Sequence, residues 1–149
     1  RSGLITNPDN LIKAICEVAT GKRKELIVNG NDYKTKDGTT IRDYIHVVDL
    51  AKAHVKSLKR LIENKNILNY DVFNIGTGKG SSVMEVIESF EKVSGQKLKY
   101  IIGPKRKGDI IEAYADTKKA NKILNWKTEQ NLDQAILSAW EWEKKLQQI

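Results

Sequence analysis

A single cysteine, Cys16, stands in this sequence of 149 residues. One thiol can form neither an internal disulfide nor a cysteine metal cluster, which fits a reducing compartment, so we expect a cytoplasmic protein. The apolar neighbours of Cys16 in "NLIKAICEVATG" predict a small buried hydrophobic residue rather than a reactive thiol. No apolar run approaches the ~20 residues that span a bilayer, and the N-terminal residues carry no secretory pattern. We therefore expect no membrane association.

Catalytic and metal motifs are equally scarce. The two histidines, His46 and His54, lack neighbouring ligands at metal spacing, because Asp49 follows His46 by three residues without a third ligand. No G-x-S-x-G nucleophile motif is present. The glycines of "GTGKGSS" fit neither G-x-G-x-x-G nor the P-loop spacing, so they predict a tight strand-to-helix turn, with a phosphate loop as the weaker alternative. No residue is predicted to be catalytic.

Positive charge is in excess, with 26 Lys and Arg against 19 Asp and Glu, a net charge of +7. Such a surface either meets an anion or is simply solvated. The two dense clusters, "GKRK" and "PKRKGD", contain no aromatic residue on which bases could stack. A basic module that binds nucleic acid therefore remains the weaker alternative.

Hydrophobic periodicity predicts one α/β domain over residues 1–149, without a linker or repeat. Helices are expected at about 8–20, from a cap at Asp49 onward, and at 83–95, 117–125 and 131–149. The helix after Asp49 carries its apolar residues at Leu50, Ala53, Leu58, Leu61 and Ile62. Strands or extended segments are expected at 25–28, 40–47, 70–76, 97–103 and 110–115.

Two arginines are candidates for binding an anion. Arg42 lies in an otherwise apolar strand, where an unpaired charge is costly to bury, and Arg106 lies in a loop with Asp109. A guanidinium group offers a planar fork that matches phosphate oxygens. The alternatives are a structural pair of Arg42 with Asp43 or Asp49, and simple solvation of Arg106.

The stretch "GNDYKTKDGTTIRDYIHVVDLAKAHV" resembles the C-terminal part of the UDP-glucose 4-epimerase family, within the extended short-chain dehydrogenases/reductases. Further similar stretches follow in the family's order: "NLI", "VFNIGTGKGSSVMEVI", "KRKGD", "YADTKKANKILNWK" and "AWEWEKK". The resemblance covers nearly the whole chain. It implies a small mixed α/β substrate domain, with the NAD-binding Rossmann half outside this sequence.

The resemblance implies that this part of the enzyme holds the UDP moiety of UDP-glucose or UDP-galactose. Arg42 and Arg106 resemble the two arginines that bind the diphosphate, and Asp109 resembles the acceptor for a ribose hydroxyl. Asn10 and Leu11 resemble the pair near the substrate diphosphate.

Three further positions concern the base and the sugar. Ile27 and Asn29 resemble the residues whose backbone faces uracil, although Asn29 departs from the aromatic residue that is common there. Ala113 falls at the position that limits the width of the sugar pocket, where relatives carry a small residue or tyrosine. A methyl group there leaves room for an N-acetyl substituent, so UDP-N-acetylglucosamine is a further expected substrate.

The family's glycine-rich NAD loop and Tyr-x-x-x-Lys pair are absent from this sequence. The resemblance therefore implies that NAD is bound by the N-terminal Rossmann half, which is the expected partner, and that this chain alone does not epimerise. Self-association into a homodimer through the surface left exposed is also expected. Another UDP-sugar epimerase or decarboxylase of the superfamily is the alternative activity.

The segment in which the strand predicted at 40–47 ends and the next helix begins contains three more polar residues. We assign Asp43, His46 and Asp49 to holding this joint, with Asp49 as the helix cap.

Overall fold

The computed structural model describes residues 10–147, which form five helices and five short strands. In chain order these are α1 Leu11–Ala19, β1 Leu26–Asn29, β2 Ile41–Arg42, α2 Val47–Ile62, β3 Ser81–Ser82, α3 Val83–Ser94, β4 Tyr100–Gly103, β5 Glu112–Ala113, α4 Lys118–Ile123 and α5 Leu132–Gln147. The predicted mixed α/β class is confirmed.

The strands form two small sheets. β1 pairs with β4 in parallel, with Leu26 beside Tyr100 and Asn29 beside Gly103. β2 lies between β3, which is antiparallel to it, and β5, which is parallel to it. The short β2 strand thus joins segments that are distant in the sequence, and it carries Arg42 at its end.

The main core lies where α1, α3 and α5 pack against β1. The rings of Phe90 and Trp140 meet edge to face, with centroids 5.5 Å apart. Cys16 is only 1% exposed, and burial, assisted by the charge of Glu143, raises the pKa of its thiol to about 11. The prediction of a small buried hydrophobic residue at Cys16 is confirmed. The buried residues of this core are Ala14, Ile15, Cys16, Leu26, Val28, Val86, Ile87, Phe90, Leu98, Ile136 and Trp140.

Helix ends follow local hydrogen bonding. α1 begins after Asn10, whose side-chain oxygen accepts from the backbone N–H of Lys13 at 3.2 Å. The predicted start near residue 8 lies outside the described residues. α3 begins with a capping box between Ser82 and Glu85. It ends, as predicted, at Gly95, whose φ of 70° lies in the left-handed region that glycine adopts without strain.

The prediction that Asp49 caps α2 was wrong. His46 occupies the cap position, and its Nδ1 accepts from the backbone N–H of Val48 at 3.0 Å. Asp49 lies in the first turn and is fully buried, and its Oδ2 accepts from the N–H groups of Glu129 (3.0 Å) and Gln130 (2.9 Å). Asp49 therefore fastens the segment before α5 to α2 rather than capping the helix.

The predicted strand at 70–76 is also wrong. No neighbouring strand within residues 10–147 supplies ladder hydrogen bonds to this segment, so it forms no strand. Tyr70 is 72% exposed and Val72 is 66% exposed. The apolar pattern predicted burial, but nothing in the described part of the chain covers these side chains. The strand predicted at 40–47 is likewise reduced to the two residues of β2.

Helix α2 presents an apolar stripe to the surface. The stripe consists of Val48, Ala51, Val55, Leu58 and Ile62, and its four large members are between 47% and 70% exposed. Of the predicted apolar positions on this helix, Ala53 is buried, in a second small core with Ala120, Leu124 and Trp126, whereas Leu58, Leu61 and Ile62 are exposed. Within residues 10–147 no helix has the length and apolarity that crossing a membrane requires.

Candidate functional site

A cleft of about 380 Å³ opens between α1, β1 and the loop that follows β4. The alternation of β1 buries Leu26 and Val28 in the core, and all four residues of the strand lie at the cleft. Six of the eight predicted binding residues line this cleft: Leu11, Ile27, Asn29, Arg42, Arg106 and Asp109. They come from four separate segments, so the fold brings together what the sequence had separated.

The other two predicted residues lie outside the cleft. Asn10 caps α1 and lines a different cavity, between α1 and α5. Ala113 sits on β5 in register with Arg42, where it is exposed. Ala113 is therefore a neighbour of the cleft through the backbone of β2 rather than a part of its wall.

Arg42 is held in the cleft by two hydrogen bonds. Its Nη2 donates to Asp109 Oδ1 at 2.7 Å, and its Nη1 donates to the backbone oxygen of Ile41 at 2.8 Å. The side chains of Arg42 and Asp109 keep 31% and 23% of their surface exposed, so the ion pair is open to an approaching ligand. The alternative pairing of Arg42 with Asp43 or Asp49 does not occur.

The loop after β4 turns back on itself between Arg106 and Asp109. The backbone N–H of Asp109 donates to the carbonyl of Arg106 at 3.3 Å, and Gly108 has a φ of 81°. Lys105, which directly precedes Arg106, forms an ion pair of 3.0 Å with Asp32 and so ties this loop to the turn after β1. The turn brings both predicted ligands to the same cleft.

The glycine-rich turn at 76–80 is closed by a carboxylate. Asp43 Oδ1 accepts from the backbone N–H of Thr77 at 2.9 Å and from its hydroxyl at 2.6 Å. Asp43 Oδ2 accepts from the N–H groups of Gly78 and Ala115, each at 3.2 Å. A Cβ atom on Gly76 would lie 2.3 Å from Asp43 Oδ2, so the close approach requires glycine. The turn prediction is confirmed, and these N–H groups do not fit the pyrophosphate of NAD because Asp43 already occupies them.

Several cleft residues escaped the sequence analysis: Arg23, Thr39, Thr40 and Tyr44. Arg23 belongs to the dense "GKRK" cluster directly before β1, which was the available signal. Thr39 and Thr40 are almost fully buried, and burial raises the pKa of the Tyr44 hydroxyl to about 12 against the lowering influence of Arg42. The sequence around Thr39, Thr40 and Tyr44 contains no pattern that predicts a position in a cleft. Among residues 10–147 no three potential metal ligands come together.

A comparison with protein families matches residues 3–138 to the family described as GDP-mannose 4,6 dehydratase. The chain belongs to this family. Among curated relatives, UDP-glucose 4-epimerase 2 of Oryza sativa subsp. japonica is 46% identical over 138 residues, covering 93% of this chain and 34% of the relative.

Solved structures of UDP-sugar 4-epimerases are also similar to this chain. The UDP-glucose-4-epimerase of Stenotrophomonas maltophila, solved with bound NAD and formylated UDP-arabinopyranose, matches with a TM-score of 0.92 and 39% identity, over 97% of this chain and 43% of that chain. The UDP-Glc/GlcNAc 4-epimerase of Campylobacter jejuni matches with a TM-score of 0.82 and 41% identity, over 96% and 43%. The expected fold of a short-chain dehydrogenase/reductase is confirmed. The chain spans about two-fifths of the length of these structures.

Proposed function

We propose that this chain holds the UDP moiety of UDP-glucose and UDP-galactose in a cytoplasmic, NAD-dependent UDP-glucose 4-epimerase. The observation that carries the proposal is the convergence of Arg42, Arg106 and Asp109 in one cleft. Two guanidinium groups match the two charges of a diphosphate, and a carboxylate accepts a hydrogen bond from a ribose hydroxyl. The curated relative and the solved structures named above are described as epimerases of UDP-sugars.

Binding would proceed by exchange of partners. The diphosphate takes the Nη2 donor of Arg42 that now faces Asp109, and Asp109 accepts from the ribose hydroxyl, so neither group is left without a hydrogen-bond partner. The second hydrogen bond of Arg42, to Ile41, keeps the guanidinium in place during this exchange. Each charge-assisted hydrogen bond contributes about 1.5–3 kcal/mol.

This division of labour suits a reaction at the C4 carbon of the sugar. The sugar must present both faces to the reacting groups, so the binding energy has to come from the nucleotide, which does not react. NAD, when bound by the rest of the enzyme, supplies the acceptor and donor of hydride. The residues of this chain anchor the nucleotide, and we expect no epimerisation from the chain alone.

The stripe on α2 is proposed as the contact surface for that dinucleotide-binding part of the enzyme. Four large apolar side chains are exposed along one helix face, and the unpaired segment at 70–76 exposes Tyr70 and Val72 in addition. Exposed apolar surface of this kind marks an interaction site. The relatives are more than twice as long as the matched region, so they contain chain that could cover it.

The N-acetylated sugar is proposed as a second substrate. Ala113 lies across from Arg42 on β5, where a tyrosine ring would narrow the space beside the diphosphate and a methyl group does not. The relative from Campylobacter jejuni is described as acting on both kinds of sugar. An enzyme containing this chain should convert UDP-N-acetylglucosamine, and Ala113→Tyr should reduce that activity while retaining the activity on UDP-glucose. If Ala113→Tyr kept its full activity on both sugars, this role of Ala113 would be contradicted.

Calorimetric titration of this chain with UDP, uridine and inorganic phosphate tests the main proposal. We expect UDP to bind more tightly than either of its parts, because the base, the ribose and the diphosphate are contacted together. Equal weak binding of all three ligands, with strong binding of single-stranded nucleic acid that declines steeply with salt, would overturn it in favour of the basic module.

A further inference from the structure

A third guanidinium group lines the cleft, that of Arg23. Its backbone N–H donates to the carbonyl of Glu17 at 3.1 Å, which fixes the residue just beyond the end of α1. Its side chain is clamped by the same residue, because Nε and Nη2 both donate to Glu17 Oε2, at 3.2 Å and 3.0 Å. Arg23 is therefore a positioned cation rather than a freely moving surface charge.

Arg23 and Asp109 enter the cleft from opposite ends of the same sheet. β1 and β4 run in parallel, Arg23 precedes β1, and Asp109 follows β4. The four residues of β1 separate these ends by about 10 Å at the rise of an extended strand. If the ribose is held at Asp109 and the base lies along β1, the far edge of the base faces the end of the cleft that Arg23 lines.

At the end of the cleft lined by Arg23, the guanidinium group offers hydrogen-bond donors and no acceptor. A guanidinium group only donates hydrogen bonds, and Glu17 takes the edge formed by Nε and Nη2, which leaves the donors of Nη1 for a ligand. The neighbouring lining residues Ala14 and Leu26 are apolar and almost fully buried, so they offer a ligand no polar group. Asp109, at the other end, is the one carboxylate among the described residues that line this cleft.

We propose that Arg23 is a specificity-determining residue: its guanidinium donates a hydrogen bond to the keto oxygen on the far edge of the base and thereby selects uracil over cytosine. Cytosine carries an amino group at that position, which would set donor against donor and leave both unsatisfied. The inference rests on the proposed function, since it requires a nucleotide in this cleft. We expect the chain to prefer UDP over CDP by about 10- to 100-fold.

The test is calorimetric titration of the chain with UDP and with CDP, in the unmodified protein and in Arg23→Gln. A glutamine amide donates and accepts, so it satisfies either base, and the UDP-to-CDP preference should fall to within about threefold of unity. Arg23→Lys keeps a donor-only cation and should retain the preference. Lys24→Gln removes the same charge from the adjacent exposed residue and should leave the preference unchanged.

The outcomes separate the two proposals. If the unmodified chain binds no uridine nucleotide, the proposed function fails and this inference falls with it. If UDP binds but CDP binds equally well, or if Arg23→Gln folds by circular dichroism and keeps the full preference, the role of Arg23 alone is overturned. Should Arg23→Gln not fold, loss of the preference in Arg23→Met together with retention in Arg23→Lys decides the question in the same way.

Discussion

Arg42 and Asp109, which are far apart in the sequence, form an ion pair of 2.7 Å inside the cleft. Each residue thus holds the other in place before any ligand arrives. Arg42 is held as well by its hydrogen bond to Ile41, which persists when Asp109 turns to a ligand, so Arg42 loses less conformational freedom on binding.

Removing Arg42 should weaken nucleotide binding. We expect Arg42→Ala to bind UDP about 10- to 100-fold more weakly, because a charge-assisted contact worth ~1.5–3 kcal/mol is lost. Titration calorimetry measures the change. The control is Lys107→Ala, which removes a positive charge from the loop that contains Arg106 and Asp109 but lies outside the cleft lining. It should bind UDP almost as the unmodified chain does. Unchanged affinity in Arg42→Ala would return this arginine to a purely structural role.

Glu143 should be important for stability. Glu143 is 1% exposed, and its carboxylate accepts from Lys13 Nζ and, at 2.7 Å, from Lys22 Nζ, joining α5 to α1 and to the turn that follows it. Glu143→Gln leaves these ammonium groups without their counter-charge. We expect a loss of about 2–3 kcal/mol in the free energy of unfolding, limited because both lysines keep partial contact with water. Urea denaturation measures it, and Glu141→Gln on the exposed side of α5 should change stability by less than about 0.5 kcal/mol.

The same carboxylate should make stability depend on pH. Burial raises the pKa of Glu143, but the hydrogen bonds and charges of Lys13 and Lys22 outweigh burial and hold the pKa below its usual range. Because the folded-state pKa is lower than the unfolded value of about 4.3, the stabilisation is complete above that pH and is lost as the pH falls through the folded pKa. The free energies of unfolding of the unmodified chain and of Glu143→Gln, measured at pH values from 7 down to 3, should therefore converge as the pH falls. Parallel curves would contradict this origin of the acid sensitivity.

Asp43 should hold the turn at 76–80 and the start of the segment after β5. Asp43→Ala removes an acceptor from Thr77, Gly78 and Ala115 and leaves their N–H groups to find water, so we expect about 3 kcal/mol of destabilisation. The stability of Asp43→Asn should lie between those of the unmodified chain and Asp43→Ala, because the amide keeps one acceptor and introduces a donor that faces other donors. Thermal unfolding measures the order. The exposed Glu88→Ala is the control, and equal stability of all three variants would show that the turn holds without Asp43.

The stripe on α2 should drive self-association when nothing covers it. Val55→Glu combined with Leu58→Glu places charge in the middle of the stripe and should shift sedimentation velocity toward the monomer. Stability should change little, because both side chains are more than half exposed. Lys56→Glu alters charge on the same helix outside the stripe and should not have this effect. A chain that sediments as a monomer at high concentration before any substitution would contradict the prediction.

The sequence predicted best where local chemistry decides the structure. The end of α3 at Gly95 and the burial of Cys16 followed from a single residue and its neighbours. Asp49 was misjudged because aspartate is a good cap in general, whereas its real partners, Glu129 and Gln130, lie far along the chain. No local pattern announces such a contact.

The failures at α2 and at 70–76 share one physical cause. An apolar pattern states that a segment prefers to be covered, but it does not state by what. Leu58 and Val72 both follow patterns of burial, and both are exposed in the part of the chain that the structure describes. In the cleft, Arg42 and Asp109 were predicted through the resemblance to the epimerase family, and Arg23, at a position that the resemblance left unassigned, required the geometry.

The burial of Cys16 has a practical consequence for the study of ligands. A thiol that is 1% exposed, with a pKa of about 11, scarcely reacts with alkylating reagents at neutral pH unless α1 moves away. The same helix contributes Leu11 and Ala14 to the cleft. The rate at which the single cysteine is labelled therefore reports how often the wall of the cleft opens, and a nucleotide that fills the cleft should slow that labelling without any dye or tag being added to the binding site.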